Sequence, residues 1–248
     1  TNGFHDAANA IAVSVATRAL TPAVALIIAA VGNLVGSFFG AKVAATVGGG
    51  IISLPSENTV MLVVAAALVG AVAWNLITWR FGLPSSSSHA LIGGMVGAAL
   101  PAGMAVLWGG VIDKVVIPMV ASPIVGFAVG YVVMLAMMWA LRRVSPTRAR
   151  RGFRIAQWGS ATAMAFGHGM QDAAKTMGII VLALNVAGVH QGQAIPLWVY
   201  LTCAGVLSLG TLAGGRRIMK TLGSKVVALD PPQGFAAEIT GSAVLYGA

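Results

Sequence analysis

Two short polar segments carry the ionisable residues that interrupt otherwise apolar sequence. The first, Asn2–Asn9, reads NGFHDAAN, and the second, Gly167–Met177, reads GHGMQDAAKTM. Each places one aspartate, Asp6 or Asp172, before a pair of alanines and a longer apolar run. An aspartate at membrane depth costs roughly 2.5–3.5 kcal/mol to insert, and such residues usually mark an ion or substrate pathway. The pattern predicts two carboxylates that bind or move ions. The alternative is that each only caps the start of a helix.

A third segment, Pro84–His89, places four hydroxyls in a row before an apolar, glycine-rich stretch. Hydroxyl donors and free backbone N–H groups at the start of a helix form a good site for an oxyanion. The alternative is a serine-rich turn in which Ser88 is the N-cap. Beside the paired aspartates, the anion site is the favoured interpretation, and its candidate ligands are Ser85, Ser86, Ser87 and Ser88.

The histidines offer no clear metal site. Three of the four lie in or beside these polar segments, and His190 lies outside them. Because no pair has the H-x-x-x-H spacing, a metal-ligand set has no support and the metal stays unknown. We interpret His5, His89 and His168 as satisfied polar residues or proton carriers. A metal-dependent membrane enzyme built on the histidines and aspartates remains the weaker alternative to transport.

The composition indicates a membrane protein. Of the 248 residues, 58% are hydrophobic and only 8% are charged, with a mean hydropathy of +0.88, whereas about a quarter of residues are charged in soluble domains. Each charge-free run approaches or exceeds the roughly 20 residues that cross a bilayer. Since helices satisfy their own backbone hydrogen bonds in lipid, we predict an all-α polytopic membrane protein. The charge-free runs are 19–41, 58–79, 90–112, 115–141 and 191–215.

We interpret the net charge of +9 as a signal of membrane topology rather than of binding to nucleic acid. Six of the 15 basic residues lie within 142–154, and such a cluster typically marks a cytoplasmic loop. The basic residues have no aromatic residues interleaved with them, so we predict no binding to nucleic acid. The cluster consists of Arg142, Arg143, Arg148, Arg150, Arg151 and Arg154.

The two aspartate segments also indicate an internal repeat. A shift of 166 aligns Gly3 with Gly169 and Asp6 with Asp172. With 142–154 inside, the first motif helix runs inward and the second outward, which predicts inverted repeats of the kind found in secondary transporters. We assign 1–141 to the first repeat, 142–154 to the basic loop and 155–248 to the second repeat. Each repeat lacks a counterpart of part of the other, so we expect a chain truncated at both ends.

Two segments do not read as simple spans. As one straight helix, 155–189 would be about 52 Å long, longer than a hydrocarbon core of about 30 Å. We therefore predict that it is broken, strongly tilted or doubled back. The segment 84–107 either spans the membrane or re-enters it, and the sequence leaves both open.

These residues resemble those of the inorganic phosphate transporter family, called Pit, in its bacterial form. The resemblance rests on NGFHDAANAIAVSVATRAL, GLPSSSSHALIGG and GHGMQDAAKTMGII. It implies inverted repeats with broken helices and a re-entrant hairpin at the serines. It also implies a symporter in the bacterial inner membrane that imports phosphate, or a metal–phosphate complex, with H⁺ or Na⁺. The residues implied to line the site are Asp6, Asn9, Ser85, Ser86, Ser87, Ser88, Gln171 and Asp172.

The second motif departs from the family pattern and bears on the coupling ion. Gln171 and Lys175 stand where asparagines are usual, and Lys175 lies three residues after Asp172, on the same helix face. The pair is roughly neutral, which argues against Na⁺ there and for H⁺ with a neutral metal–phosphate. The ion-coupling candidates are thus His5, Asp6, Asp172 and Lys175. Coupling to Na⁺ and transport of sulfate remain alternatives. We predict no resident cofactor, only co-transported H⁺, Na⁺ or divalent metal, and leave a homodimer open.

Overall fold

The computed structural model describes residues 1–40, 58–192, 194–214, 216–222 and 228–247. Within these ranges the regular elements are all helical, which confirms the all-α prediction. The helices are α1 (Asn2–Ala16), α2 (Pro22–Ser37), α3 (Asn58–Phe81), α4 (Ser87–Ala99), α5 (Trp108–Val111), α6 (Ile117–Leu141), α7 (Pro146–Val186), α8 (Leu197–Gly214), α9 (Arg216–Thr221) and α10 (Pro231–Gly247).

The longest helix, α7, runs unbroken through the second aspartate motif. Of the three predicted alternatives, a break and a doubling back there are wrong, and a strong tilt stays a prediction. Both motif glycines keep ordinary helical backbone angles, because they serve close approach rather than a turn. A Cβ on Gly169 would run into the backbone of Asn33 on α2, and one on Gly167 would meet Leu245 and Tyr246 of α10. The 41 residues of α7 would extend about 62 Å.

The basic segment 142–154 is mostly helix rather than loop. The helix α6 ends at Leu141 and α7 begins at Pro146, so only 142–145 connects them. Proline suits the first position of a helix, where its missing N–H would have no partner. The remaining arginines therefore project from the first turns of α7. One of them, Arg150, forms an exposed ion pair with Asp230 at 3.1 Å.

The serine-rich segment forms the turn between two packed helices. The hairpin of α3 and α4 has Ser86 as the N-cap of α4, because its hydroxyl accepts the His89 N–H at 3.2 Å. The alternative that Ser88 is the cap is wrong. With 13 residues α4 is only about 20 Å long, too short to cross a 30 Å core. The charge-free run 90–112 is therefore not one spanning helix, and this length favours a re-entrant hairpin.

The tightest helix contact joins α2 to α7. Gly32 and Gly36 lie one turn apart on α2, and a Cβ on either would overlap α7 at Ala165 or Phe166. Small residues at this spacing allow two backbones to approach closely, as in membrane helix pairs. The contact brings Asn33, between the two glycines, against the motif segment of α7.

Two described segments are long and apolar enough to cross a membrane: Val60–Phe81 and Trp108–Leu141. In the second, a π-helical turn at Ile112–Val116 joins α5 to α6. None of the residues of α6 is buried, although the helix is apolar all round; Phe127, for example, is 78% exposed. Such a surface is suited to lipid rather than water. The inverted relation of the two repeats stays a prediction.

Candidate functional site

Both motif aspartates lie at one place, where α1 meets α7. Asp6 and Asp172 are 5% and 7% exposed. With the amide nitrogen of Asn2 facing them, Asn2 donates to Oδ2 of Asp6 and to Oδ2 of Asp172, each at 3.1 Å. One amide thus bridges carboxylates that are 166 positions apart in the chain. The structure brings together the residues that the repeat pairs in sequence.

Asp6 joins this centre to the serine-rich turn. Its Oδ2 accepts the backbone N–H of Ser87 at 3.3 Å, at the first turn of α4. Asp6 itself lies inside α1, and Asp172 lies well inside α7, so neither caps the start of its own helix. The capping alternative is wrong in that form, because Asp6 instead supports the N-terminus of a different helix.

His5 orients Asp6 from the other side. It is 1% exposed; its Nδ1 lies 2.9 Å from Asp6 Oδ1, and its Nε2 lies 2.9 Å from the hydroxyl oxygen of Thr78. The hydroxyl of Ser85 lies 3.4 Å from Nε2 and donates to Thr78 at 3.2 Å. Ser85 therefore supports His5 and is not part of the anion-binding N-terminus of α4.

Asp172 lies between two basic side chains of its own helix. Nζ of Lys175 donates to Asp172 Oδ1 at 2.9 Å, and Nε2 of His168 lies 3.0 Å from Asp172 Oδ2. The same ammonium donates to the hydroxyl of Ser88 at 2.7 Å. The pairing of Asp172 with Lys175 expected from their spacing is therefore present, and it extends to the serine segment.

A cavity of about 350 Å³ opens beside this polar centre. Asn2, Ser87, Ser88 and Lys175 line one part of it, and the rest is mostly apolar with Thr202 and Cys203 on α8. The Ser87 hydroxyl is buried and has no hydrogen-bond partner among the residues that the structure describes. A few converging polar groups in an otherwise apolar wall are typical of small-ligand sites.

Besides Ser85, three predicted ligands lie elsewhere or are already engaged. Asn9 is exposed on α1 and does not line the cavity. Gln171 donates to the Leu245 carbonyl of α10 at 2.6 Å, away from the serines. The Ser86 hydroxyl is occupied as the cap of α4.

Sequence reasoning missed three residues that position the site: Asn2, Asn33 and Thr78. Oδ1 of Asn33 lies 3.0 Å from Nδ1 of His168, and Thr78 holds His5. A lone amide or hydroxyl side chain within an apolar run could have indicated such residues, because a buried polar group needs a hydrogen-bond partner.

A third acidic residue is also buried, although only two were expected at membrane depth. Glu238 on α10 is 1% exposed and accepts the Ser160 hydroxyl of α7. Nearby, Thr17 of α1 donates to Gln157 at 2.7 Å. This second polar cluster ties α1, α7 and α10 together. In the described part of the chain, no group of three or more His, Cys, Asp or Glu side chains is arranged to hold a metal ion.

Comparison with known proteins decides the family. A model described as the phosphate transporter family matches residues 2–248. The chain belongs to that family. Members of this family are transporters rather than enzymes, so membership identifies a membrane protein and excludes the alternative of a metal-dependent enzyme.

Bacterial relatives carry the same description. A probable low-affinity inorganic phosphate transporter of Mycobacterium bovis is 48% identical over 250 residues, covering 99% of this chain and 59% of that protein. One of Streptomyces halstedii is 57% identical over 171 residues, covering 69% of this chain and 80% of that protein. The chain thus spans about three fifths of the mycobacterial relative's length.

A solved structure shares the fold. The sodium-dependent phosphate transporter superposes with a TM-score of 0.84 at 24% identity, covering 99% of this chain and 80% of that one. The likeness extends over both motif segments and the hairpin of α3 and α4. It supports the architecture described above.

Proposed function

We propose that this protein is a secondary active symporter that imports inorganic phosphate together with H⁺. One observation carries the proposal: the two motif aspartates, joined through Asn2, lie beside a cavity that Asn2, Lys175 and the first serines of α4 line. The names of the relatives support phosphate as the substrate.

Phosphate would bind at the serine end of the cavity. Lys175 supplies a cation there, Ser87 supplies a hydroxyl without a partner, and the first turn of α4 supplies backbone N–H groups. Helix N-termini attract anions because their N–H groups are free and the helix dipole is positive there. Ser88, now bonded to Lys175, completes the set.

The carboxylates favour phosphate over sulfate. Hydrogen phosphate carries a proton that it can donate to a buried acceptor such as Asp6 or Asp172, whereas sulfate at neutral pH has none. A sulfate oxygen facing a buried carboxylate would therefore be repelled without compensation. A competition assay, in which sulfate competes with labelled phosphate for uptake, tests whether sulfate is also transported.

Proton coupling fits the charges around Asp172. Lys175 already neutralises this carboxylate at 2.9 Å, and a Na⁺ ion beside it would meet a fixed positive charge. Two histidines, His5 and His168, each lie within 3.0 Å of a motif aspartate, and an imidazole ring can take up and release a proton. The transported species is phosphate itself or a neutral metal–phosphate complex.

The test is uptake of labelled phosphate by the full-length protein in proteoliposomes. We expect accumulation with an imposed H⁺ gradient and none with a Na⁺ gradient at equal pH. Excess unlabelled phosphate should abolish uptake, and excess sulfate should leave it unchanged. Accumulation driven only by Na⁺, or competition by sulfate, would contradict the corresponding part of the proposal.

A further inference from the structure

A chain of hydrogen bonds defines the protonation of His168. Thr211 of α8 donates its hydroxyl proton to the Leu207 carbonyl at 2.9 Å. The Thr211 oxygen is then left to accept, and the amide nitrogen of Asn33 donates to it at 2.9 Å. Asn33 therefore presents its amide oxygen to Nδ1 of His168, 3.0 Å away. Since an amide oxygen only accepts, Nδ1 must carry a proton.

The other ring nitrogen of His168 also meets an acceptor. Nε2 lies 3.0 Å from Oδ2 of Asp172, and the two side chains are 11% and 10% exposed. The contact has the distance of an ion pair but not the alignment of a hydrogen bond. A neutral ring protonated at Nδ1 would place the unprotonated Nε2 against a carboxylate oxygen, so two acceptors would face each other. The arrangement needs one further proton, held on the ring or on the carboxyl of Asp172.

His5 is different, although it also lies beside an aspartate. Its Nε2 faces the hydroxyls of Thr78 and Ser85, and a hydroxyl can donate as well as accept. The Thr78 hydroxyl already donates to the Trp74 carbonyl at 2.9 Å, but Ser85 can turn its hydroxyl from Thr78 to Nε2, 3.4 Å away. With that turn, a neutral His5 donates from Nδ1 to Asp6 and accepts at Nε2. Only His168 needs an additional proton, because its second partner is the amide oxygen of Asn33, which only accepts. The corresponding partner of His5 is a hydroxyl, which can also donate.

Loss of the extra proton would change the hydrogen bonds of side chains on three helices. With His168 neutral and donating to Asp172, Asn33 satisfies Nδ1 by turning its amide through 180° so that its nitrogen donates. Thr211 then turns its hydroxyl from the Leu207 carbonyl to the amide oxygen of Asn33. A change in the protonation of His168 on α7 is thus transmitted through Asn33 on α2 to Thr211 on α8. Leu207, also on α8, lines the cavity.

We infer that His168, together with Asp172, binds the proton that is co-transported with phosphate, and that Asn33 and Thr211 transmit its protonation state to α8. This rests on the proposed symport. The proton enters on Nε2, between the ring and Asp172 Oδ2, and leaves from the same atom. Asp172 is thereby shared between a transported proton and the fixed charge of Lys175.

In the described part of the chain, few other charges surround His168. On α7 the charged neighbours of His168 are Asp172 and Lys175, and on α1 Asp6 is linked to Asp172 through Asn2. From α10, Tyr246 lies over Gly167 and donates its hydroxyl to the Ala163 carbonyl. The side chains of α2 and α8 in this chain of hydrogen bonds, Asn33 and Thr211, do not titrate.

The experiment measures proton and phosphate uptake in the same proteoliposomes, with an internal pH dye and labelled phosphate, for the full-length protein. The variant is His168→Gln, whose amide can still donate to Asn33 but cannot take up a proton. We expect the ratio of gradient-driven accumulation to phosphate–phosphate exchange to fall by about tenfold or more, and its dependence on pH between roughly 5 and 8 to disappear. The matched control is His190→Gln, an exposed loop histidine, which should retain the wild-type ratio and pH profile.

A second pair of variants tests the relay without changing the histidine. Thr211→Val keeps the side-chain volume but removes the hydroxyl, and we expect a displaced pH profile and a lower coupling ratio. Thr211→Ser restores the hydroxyl and should restore both. This pair carries the test if His168→Gln fails to insert.

The outcomes separate the two proposals. If the wild type takes up phosphate without protons, the proposed symport is wrong. If the wild type couples but His168→Gln keeps its ratio and pH profile, the inference is wrong and the symport stands. Loss of coupling in His5→Gln but not in His168→Gln would assign the proton to the other dyad and also overturn the inference.

Discussion

At the scale of single residues, the serines of the hairpin turn divide into three roles. Ser85 supports His5, Ser86 caps α4, and Ser87 and Ser88 line the cavity. Four consecutive hydroxyls thus serve a histidine, a helix end and an anion site, and substitutions should distinguish them.

The double variant Ser87→Ala/Ser88→Ala should weaken phosphate binding by two orders of magnitude or more, since a hydrogen bond to a charged group contributes about 1.5–3 kcal/mol. The measurement is titration calorimetry or equilibrium binding of labelled phosphate. Ser86→Ala is the matched control, because it removes only a cap and should lower stability by about 1 kcal/mol while affinity is retained. Equal losses of affinity in both variants would leave the segment as a structural turn.

Asp172 and Lys175 should behave as a pair. Asp172→Asn leaves Lys175 without its carboxylate in a largely buried setting, and loss of one partner of a buried pair costs about 3–5 kcal/mol. Asp172→Asn/Lys175→Asn removes both charges and should melt at a higher temperature than the single variant. Both variants should lose proton-coupled uptake. The measurements are thermal unfolding in detergent and gradient-driven phosphate uptake, and wild-type uptake in Asp172→Asn would contradict a coupling role.

At the scale of the elements, the glycines of α7 separate into two kinds. Gly169 lies against the backbone of Asn33, whereas a Cβ added to Gly159, on the same helix, would meet none of the described residues within 4 Å. Neither position has a left-handed backbone, so the difference between them is space alone.

Gly169→Ala should destabilise the contact between α2 and α7 by about 1–3 kcal/mol, because the added methyl group overpacks it. Gly159→Ala, the control, should be neutral or stabilising by up to about 1 kcal/mol, since alanine favours helix. Thermal unfolding in detergent compares the two. Gly169→Ala should also reduce proton coupling by moving Asn33 from His168, and equal stability of both variants would contradict the close contact.

At the scale of the whole molecule, the orientation of α7 sets the membrane topology. The arginines that begin α7 predict that this end is cytoplasmic, and the far end of α7 then lies outside. Val144 and Val189 flank the helix and are both exposed, so each can carry a label.

In a Cys203→Ser background, Val144→Cys should react with a membrane-impermeant maleimide only from the cytoplasmic side. Val189→Cys should react only from the outside, because a single helix of about 62 Å separates them. The measurement is labelling of intact cells and of inverted vesicles. Reaction of both cysteines from one side would mean that α7 does not cross, and would remove the support for inverted repeats.

The sequence alone was sufficient for several features of this protein. Scarce charge and long apolar runs led to an all-α membrane protein, and the two aspartate motifs with the serine segment led to the family. The i,i+3 spacing of Asp172 and Lys175 predicted their ion pair. These inferences succeed because composition and helix spacing are local properties, which a sequence displays directly.

Only the tertiary structure decided which polar groups meet. It kept α7 whole where the length of 155–189 had suggested a break, because length alone does not separate a broken helix from a single long one. It turned Gln171 toward α10, assigned Ser86 to a cap, and placed Asn33 beside His168. Such pairings depend on how closely α2, α7 and α8 pack. The additional proton at His168 follows from that packing, because it is Asn33, 135 positions away, that leaves the ring facing two acceptors.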